Sequence, residues 1–475
     1  MTRDDDRRLV PVLVYLGTVT SIVSSLGAPL VPTIARDTHV SLATAQWSLT
    51  ISLLMGAVAT PTLGRLGDGR HRRAAVLGAL CAVLLGCVLA AVPGPFGLLL
   101  VGRGLMGVGL GLIPLTMAIA RDALNGERRT RVVGLLSITA VAGIGLGYPL
   151  TGLIAERFSF RAGFVFGAVV VAVALGLAAL VVPSVADRPA VRLDWVGAVL
   201  LAGGAAGVLL AIAQFESWSG ALIALVLLGS LAVLALWAWL ELRTRHPLVE
   251  LRLVRDRTVL TADLTGLVAG VGMYALMSMV IRFAQTPTSA GYGFGSGIVA
   301  SGLLLLPLSI MSTAASRVAP ALARRIGQRA VLPIGCVVFL VANLLFAVER
   351  AHLWQVAVVM AIAGLGIGCT FAALPGLIVA SVPAHETGSA MSFNQVLRYV
   401  GYSAGSALSA TVLEAHTPAG GQLPTGSGYT TVAVIGAVVL AVAAVVSAVV
   451  PGSERDPGVE LLEESVADAV PATVD

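Results

Sequence analysis

Uncharged apolar runs of about twenty residues recur along the whole chain, the length a helix needs to cross the hydrocarbon layer of a membrane. With charges, prolines and glycines as punctuation, the pattern predicts helices over 9–35, 43–63, 74–93, 95–119, 132–155, 162–183, 195–214, 219–241, 258–285, 294–316, 330–348, 353–382, 388–413 and 429–451. The expectation is an all-α membrane protein with fourteen transmembrane helices. The first run follows a polar start, MTRDDDRR, and is too long for a signal-peptide core. It reads as the first spanning helix. No loop is long enough for a folded domain, and the acidic segment after Pro451 reads as a short disordered tail.

Composition agrees with the pattern. Of 475 residues, 57% are hydrophobic and 12% charged, where a soluble domain carries about 25% charged residues. Lipid can cover that much apolar surface; a soluble core of this size cannot. An even number of spans puts both termini on one side. With the N-terminus in the cytoplasm, twenty-three arginines fall in or beside cytoplasmic loops, and only Arg36, Arg157, Arg161 and Arg350 fall outside. That is the charge asymmetry of a multi-pass protein of the inner (cytoplasmic) membrane with both termini inside. The net charge of +5 is thus a matter of topology and does not point to nucleic acid.

All thirty basic residues are arginines. Without lysine there is no P-loop and no Schiff-base chemistry. Cys81, Cys87, Cys336 and Cys369 lie singly in apolar runs, and the six histidines lie in or beside loops. Neither set has metal or disulfide spacing, so no metal, cofactor or enzymatic activity is expected.

The chain carries an internal repeat. GRLGDGRHRR, from Gly64 to Arg73, returns in worn form as PALARRIGQR, from Pro320 to Arg329. The triplet Gly107, Gly109, Gly111 returns as Gly364, Gly366, Gly368, with nearly the same displacement of about 256 residues. Helices 1–6 and 9–14 read as parallel copies with helices 7 and 8 inserted. The expected organisation is a six-helix bundle at 1–183, two inserted helices at 184–245, a second bundle at 246–451 and a tail at 452–475. Such repeats place a substrate path at their interface near mid-membrane.

Several motifs carry a resemblance. Gly64, Leu66, Asp68, Arg72 and Arg73 match the loop pattern G-x-L-x-D-R-x-G-R-R/K, with Gly69 and His71 departing from it. Arg103, Gly107 and Gly109 match R-x-x-Q-G-x-G with Met106 for the Gln, and Tyr148-Pro149-x-x-Gly152-Leu153 is a remnant of G-P-x-x-G-G. Leu193-Asp194-Trp195-Val196-Gly197 and His246-Pro247-Leu248-Val249-Glu250-Leu251 flank the insert. In these motifs and their order the chain resembles the major facilitator superfamily, specifically its fourteen-spanner drug:proton antiporters. The resemblance implies a major-facilitator-type fold of two six-helix bundles plus two inserted helices. It further implies a monomeric secondary active transporter for proton-coupled efflux of small lipophilic compounds (multidrug or antibiotic export) by alternating access. Its partners would be the substrate, protons and membrane lipid. An importer or lipid facilitator on the same fold, or an uncoupled sensor or structural protein, are the rivals. Where many members carry a helix 1 Asp, this chain has Val23.

The residues that follow from this reading are few. Asp68, with Gly64, Arg72 and Arg73, is the candidate cytoplasmic gate; by resemblance Asp68 faces the start of a helix in the other half, and its bland alternative is a solvated loop acid. Tyr148, Pro149 and Gly152 are the antiporter remnant. Arg103 lies about eight residues into its helix, roughly 12 Å along the axis, deeper than a snorkelling arginine usually sits. Asp263 is the one acid placed inside a spanning helix, and acids there are the proton relays of transporters. It is therefore the candidate proton carrier, with Arg103 its expected charge neighbour and a wetted interfacial acid the alternative. Asn394, Gln395 and Arg398 read as gating or inter-bundle packing. Arg282, near the outer end of helix 9, reads as snorkelling. Tyr274 and Met277 suit varied lipophilic ligands, or fill space toward lipid. The hydroxyls of Thr18, Thr20, Ser21, Ser24 and Ser25 either hydrate a cavity or bond their own backbone.

A gate at Asp68 makes a direct expectation. Asp68→Asn inserts into the membrane at normal levels and lowers substrate export several-fold in cells; wild-type export by correctly inserted Asp68→Asn protein removes the gate assignment.

Overall fold

The structure is a computed structural model that describes residues 3–27, 30–124, 132, 136, 147, 149–183, 194–213, 218–244, 247–249, 251–382, 387–418, 420–421 and 423–449. Every regular element among them is helical. In chain order these are α1 (Arg3–Ser25), α2 (Val31–Asp37), α3 (Leu42–Asp68), α4 (Arg72–Ala91), α5 (Phe96–Gly107), α6 (Leu112–Ala123), α7 (Phe160–Val181), α8 (Trp195–Ala213), α9 (Gly220–Arg243), α10 (Arg257–Gln285), α11 (Ile298–Leu303), α12 (Leu306–Ile326), α13 (Gln328–Val348), α14 (Leu353–Ser381), α15 (Thr387–Ala415) and α16 (Gly426–Val449). Residues 149–157 are also helical.

These helices overlie the segments expected from the apolar pattern, apart from 132–155, most of which lies outside the described residues. Among the described residues, ten spans are long and apolar enough to cross a membrane, fewer than the fourteen expected. The reasons are local. The apolar parts of α1 and α8 are short, Leu9–Ser24 and Trp195–Ala211. Helix α15 carries Asn394, Ser403, Ser406 and Ser409, all buried against protein, so hydropathy alone does not mark it. Polar side chains are tolerated there because other helices, not lipid, surround them.

Three expected helices are broken. Gly27 takes a left-handed φ of 114° between α1 and α2, a conformation glycine adopts without steric cost. A 3-10 turn over Val108–Gly111 separates α5 from α6, and a turn at Leu304–Leu305 separates α11 from α12. Helix α3, by contrast, is longer than expected and takes in Asp68 as its last residue, which corrects the loop position read from the sequence. Gly69 follows in extended conformation and ends the helix.

In the first half α4 packs between α5 and α7, while α1 rests on α6 and α7. In the second, α14 packs between α12 and α13, and α10 runs between α15 and α16. The halves meet chiefly along α3 and α15. Glycines set the closest approaches, as packing in lipid requires when no hydrophobic force drives helices together. Gly107 brings α5 onto the Ser52 carbonyl of α3, and Gly364 brings α14 onto the Leu308 carbonyl of α12. These contacts are related by the same shift of about 256 residues seen in the sequence, so one helix pair meets in the same way twice. Gly401 and Gly405 likewise hold α15 against the Leu267 and Val271 carbonyls of α10.

The pair α8–α9 stands apart. Only 11% of the apolar stretch of α9 is buried, against 67% in α10. Gly204 admits Leu234 and Gly207 admits Ser230, a register that makes the two helices antiparallel. Helix α8 touches both α3 and α15, so the insert lies across the seam between the halves.

A methyl group at Gly405 would drive into the Val271 carbonyl, whereas nothing lies within 4 Å of one at Gly176. Gly405→Ala is therefore expected to cost about 1–3 kcal/mol and to lower the melting temperature in detergent, with Gly176→Ala unchanged. Equal melting temperatures for the two variants would show that glycine does not set the α10–α15 spacing.

Candidate functional site

Arg103 is only 1% exposed, in keeping with its deep place in the sequence. Its Nε donates to the Ser48 carbonyl at 2.9 Å, while Ser52 Oγ donates to the Arg103 carbonyl at 2.7 Å. The Phe164 ring lies 5.9 Å from its Cζ. A Cβ on Gly27 would stand 3.2 Å from its Cζ and Nη2, so the break after α1 is where the guanidinium enters. The carbonyl end of a helix carries partial negative charge, which suits a cation there. Nη2 keeps no hydrogen-bond partner.

Asp263 is also 1% exposed. Its Oδ1 accepts from Asn394 Nδ2 at 3.0 Å, and Asn394 donates to the Ala262 carbonyl as well, at 3.3 Å. Oδ2 is enclosed without a partner. In this geometry the carboxylate is enclosed by protein. The expected pairing with Arg103 is corrected: Arg103 bonds a backbone carbonyl of its own half, and Asp263 bonds an amide on α15.

One turn along α15 from Asn394, Arg398 is held by side chains. Nη1 donates to Gln395 Oε1 at 3.2 Å, and Nη2 to the Tyr402 hydroxyl at 2.9 Å. Its Cζ lies 3.8 Å from the Phe371 ring centroid, a cation–π contact. Tyr402 stacks on Tyr274 of α10, with centroids 4.6 Å apart. A flat aromatic wall and a guanidinium thus stand at the meeting of α10 and α15, Arg398 one turn from Asn394 and Tyr274 about three turns along α10 from Asp263. Met277 is buried among helices, which excludes the lipid-facing alternative for it.

Other expectations change. Arg282 does not snorkel: it is 5% exposed, with Nε and Nη1 unpartnered and with Tyr429, Glu414 and Tyr292 near enough to act on its charge. Its neighbours Phe283, Tyr292 and Tyr429 form an aromatic cluster that closes it off from water. In the connection after α10, burial, with Tyr429 adding to it, pushes the Tyr292 phenol up to about 12. The hydroxyls of Thr18, Thr20, Ser21 and Ser24 all donate to carbonyls one turn back in α1; Ser25 lies outside the described side chains.

Of the gate residues, Gly64 lies within α3. Arg72 Nε donates to the Gly67 carbonyl and Arg73 Nη2 to the Ala179 carbonyl, both at 2.6 Å, which fixes the turn onto α4 and α7. The Asp68 side chain and Tyr148 lie outside what is described. In the antiporter remnant Pro149 is helical and Gly152 lies against Ile298 and Val299. Beside it Glu156 Oε1 accepts from the Val299 N–H at 2.9 Å, a second join between the halves.

Sequence reasoning missed two features. Gln46 of α3 donates to Ser278 of α10 at 2.8 Å and to Ser406 of α15 at 2.7 Å. The Ser403 hydroxyl donates to the Thr50 carbonyl at 3.3 Å. These bonds stitch the two halves near one end. The other is Glu241, placed by the sequence at a helix end and found 1% exposed inside the protein. Among the described residues no cluster of three His, Cys, Asp or Glu side chains fits a metal ion.

Residues 13–406 and 323–471 match the family model described as Major Facilitator Superfamily. An uncharacterized MFS-type transporter of Mycobacterium tuberculosis is 27% identical over 404 residues, covering 83% of this chain. The chain spans 58% of the length of that relative. A multidrug resistance protein B homolog of the same organism is 28% identical over 395 residues, covering 80% of this chain and 71% of its own length. A crystal structure of a mutant peptide transporter POT in complex with alafosfalin has a TM-score of 0.66 at 16% identity, covering 92% of this chain and 94% of its own. That likeness is one of fold.

Arg103 presents a planar fork that lysine lacks, with Nε donating to the Ser48 carbonyl, Nη1 to Met106 Sδ at 3.9 Å, and the plane beside the end of α1. Arg103→Lys is expected to lower transport several-fold with normal insertion, and Arg103→Ala to lower it further, since a compact ammonium restores charge without the fork. Normal transport by Arg103→Ala, measured in vesicles, would leave the residue without a role in the cycle.

Proposed function

This chain belongs to the Major Facilitator Superfamily, and from that premise we propose that it is a proton-coupled exporter of small lipophilic compounds, of the fourteen-spanner drug:proton antiporter type. The family is one of membrane transporters, and no catalytic activity is indicated. The proposed cycle rocks the halves 1–183 and 246–451 about the α3–α15 seam, with 184–245 between them and both termini cytoplasmic. Gly64, Asp68, Arg72 and Arg73 then lie at the cytoplasmic gate. The protein works as a monomer in lipid. In this orientation α3 begins at the outer face, so the Gln46 bonds to Ser278 and Ser406 close the outer end.

The observation that carries the reading is Asp263. It is an acid enclosed by protein, with one oxygen bonded to Asn394 and the other unpartnered. A half-satisfied buried carboxylate is costly, and a proton on the free oxygen removes the charge. Such a group favours one arrangement of the halves when charged and another when neutral, and so couples a proton to the cycle. Arginine cannot titrate at physiological pH, so Arg103 and Arg398 position and attract but do not carry the proton. The stacked Tyr274 and Tyr402, with Phe371 beneath Arg398, suit flat lipophilic molecules that are neutral or anionic.

In proteoliposomes, Asp263→Asn is expected to reduce substrate-driven proton movement to background while leaving energy-independent exchange intact. Coupled proton flux persisting in Asp263→Asn would overturn the assignment.

A further inference from the structure

Glu241 closes α9, a helix that otherwise faces lipid nearly all round. Its carboxylate is fully engaged: Oε2 accepts the Leu248 N–H at 3.0 Å and Oε1 the Val249 N–H at 3.1 Å. Those two residues belong to the connection that leads through the 3-10 turn Leu251–Arg255 into α10. Arg252 Nη2 ties the same connection back to the Leu242 carbonyl at 3.0 Å.

The same carboxylate meets the start of α8. A Cβ on Gly197 would lie 2.6 Å from Asp194 Oδ2 and 3.2 Å from Glu241 Oε1, so glycine there lets both acids close in. Asp194 Oδ1 is itself occupied by the Gly197 N–H at 2.8 Å. A third element contributes charge: Arg65, in the last turn of α3, lies near enough to act on Glu241. One buried carboxylate therefore touches the insert and the lead into α10, within the field of a cation on α3. Higher in the same hairpin, Trp237 shares an apolar cluster with Leu53 and Ala57 of α3 and with Phe393 and Val396 of α15.

We propose that Glu241 is a positioning residue that fastens the inserted helices and the start of α10 to the α3 end, and through that junction sets the balance between the two states of the transport cycle. The proposal rests on the alternating-access reading above. Helix α8 lies across the α3–α15 seam, so the insert cannot stay indifferent when the halves move. The carboxylate is a bidentate acceptor of backbone N–H groups, a strong and directional tie. A carboxamide in its place keeps the shape but presents an N–H to one of those donors.

The test is hydrogen–deuterium exchange of the full-length protein in lipid, without substrate, alongside transport. In Glu241→Gln, amides at the far end of the seam, residues 42–50 and 403–415, are expected to change exchange rate about threefold or more, with transport lowered about fivefold or more. Glu241→Asp, which keeps the charge, falls between wild type and Glu241→Gln. Should Glu241→Gln fail to insert, Gly197→Ala, which presses on both acids, carries the same expectation. Exchange altered only at 244–255, with the far end as in wild type, would reduce Glu241 to local structure and overturn the proposal. Because this readout needs neither substrate nor proton flux, loss of the Asp263 assignment would leave it standing, and its failure would leave Asp263 untouched.

Discussion

A charge carried into a bundle surrounded by lipid finds no water to solvate it, at a cost of about 2.5–3.5 kcal/mol near the centre of a spanning helix. Much of this structure is the answer to that constraint at a few side chains. Both oxygens of Glu241 are met by backbone N–H groups, with an arginine and the like charge of Asp194 nearby. Arg398 is met by an amide, a phenol and an aromatic face. Arg103, Asp263 and Arg398 each keep one buried atom without a partner. That difference separates roles. A fully engaged charge resists change and suits a fastening, while a partly engaged one has a state still to gain.

The charges stay where they are because the helices around them are held by backbone contact. Glycine puts α5 on α3, α14 on α12 and α15 on α10, in each case against a carbonyl. Dispersion at such short range, not the hydrophobic effect, joins helices in lipid, and it makes each half stiff. The seam between the halves is of another kind. Hydroxyls and amides of Gln46, Thr50, Ser403 and Ser406 bridge it, and hydrogen bonds of this sort exchange for one another or for water at modest net cost. Stiff halves with an exchangeable seam are what the proposed rocking needs.

Much of this was legible in the residue pattern. Apolar runs of spanning length determine helices whatever their neighbours, because a backbone in lipid must satisfy its own hydrogen bonds. The repeat was legible because each copy of the contact, Gly107 on the Ser52 carbonyl and Gly364 on the Leu308 carbonyl, needs a glycine. Arg103 announced itself by its depth. The strict span count was less legible, since α15 buries its serines against protein and hydropathy reads composition without direction.

What the pattern could not supply was the identity of partners. Asp263 was expected beside Arg103, yet Asn394, more than a hundred residues away in sequence, bonds it. Arg282 was expected to reach water and is closed in by aromatic rings. Glu241, at the end of the expected helix 219–241, is bonded because the fold lays the chain at Leu248 and Val249 across it. The residue pattern settles which segments become helices, that they cross a membrane, and which charges must find shelter there. The tertiary structure alone decided where each charge is sheltered, because helix formation depends on local hydrogen bonds and hydropathy, while a buried charge is satisfied by whatever distant group the packing brings within about 3 Å of it.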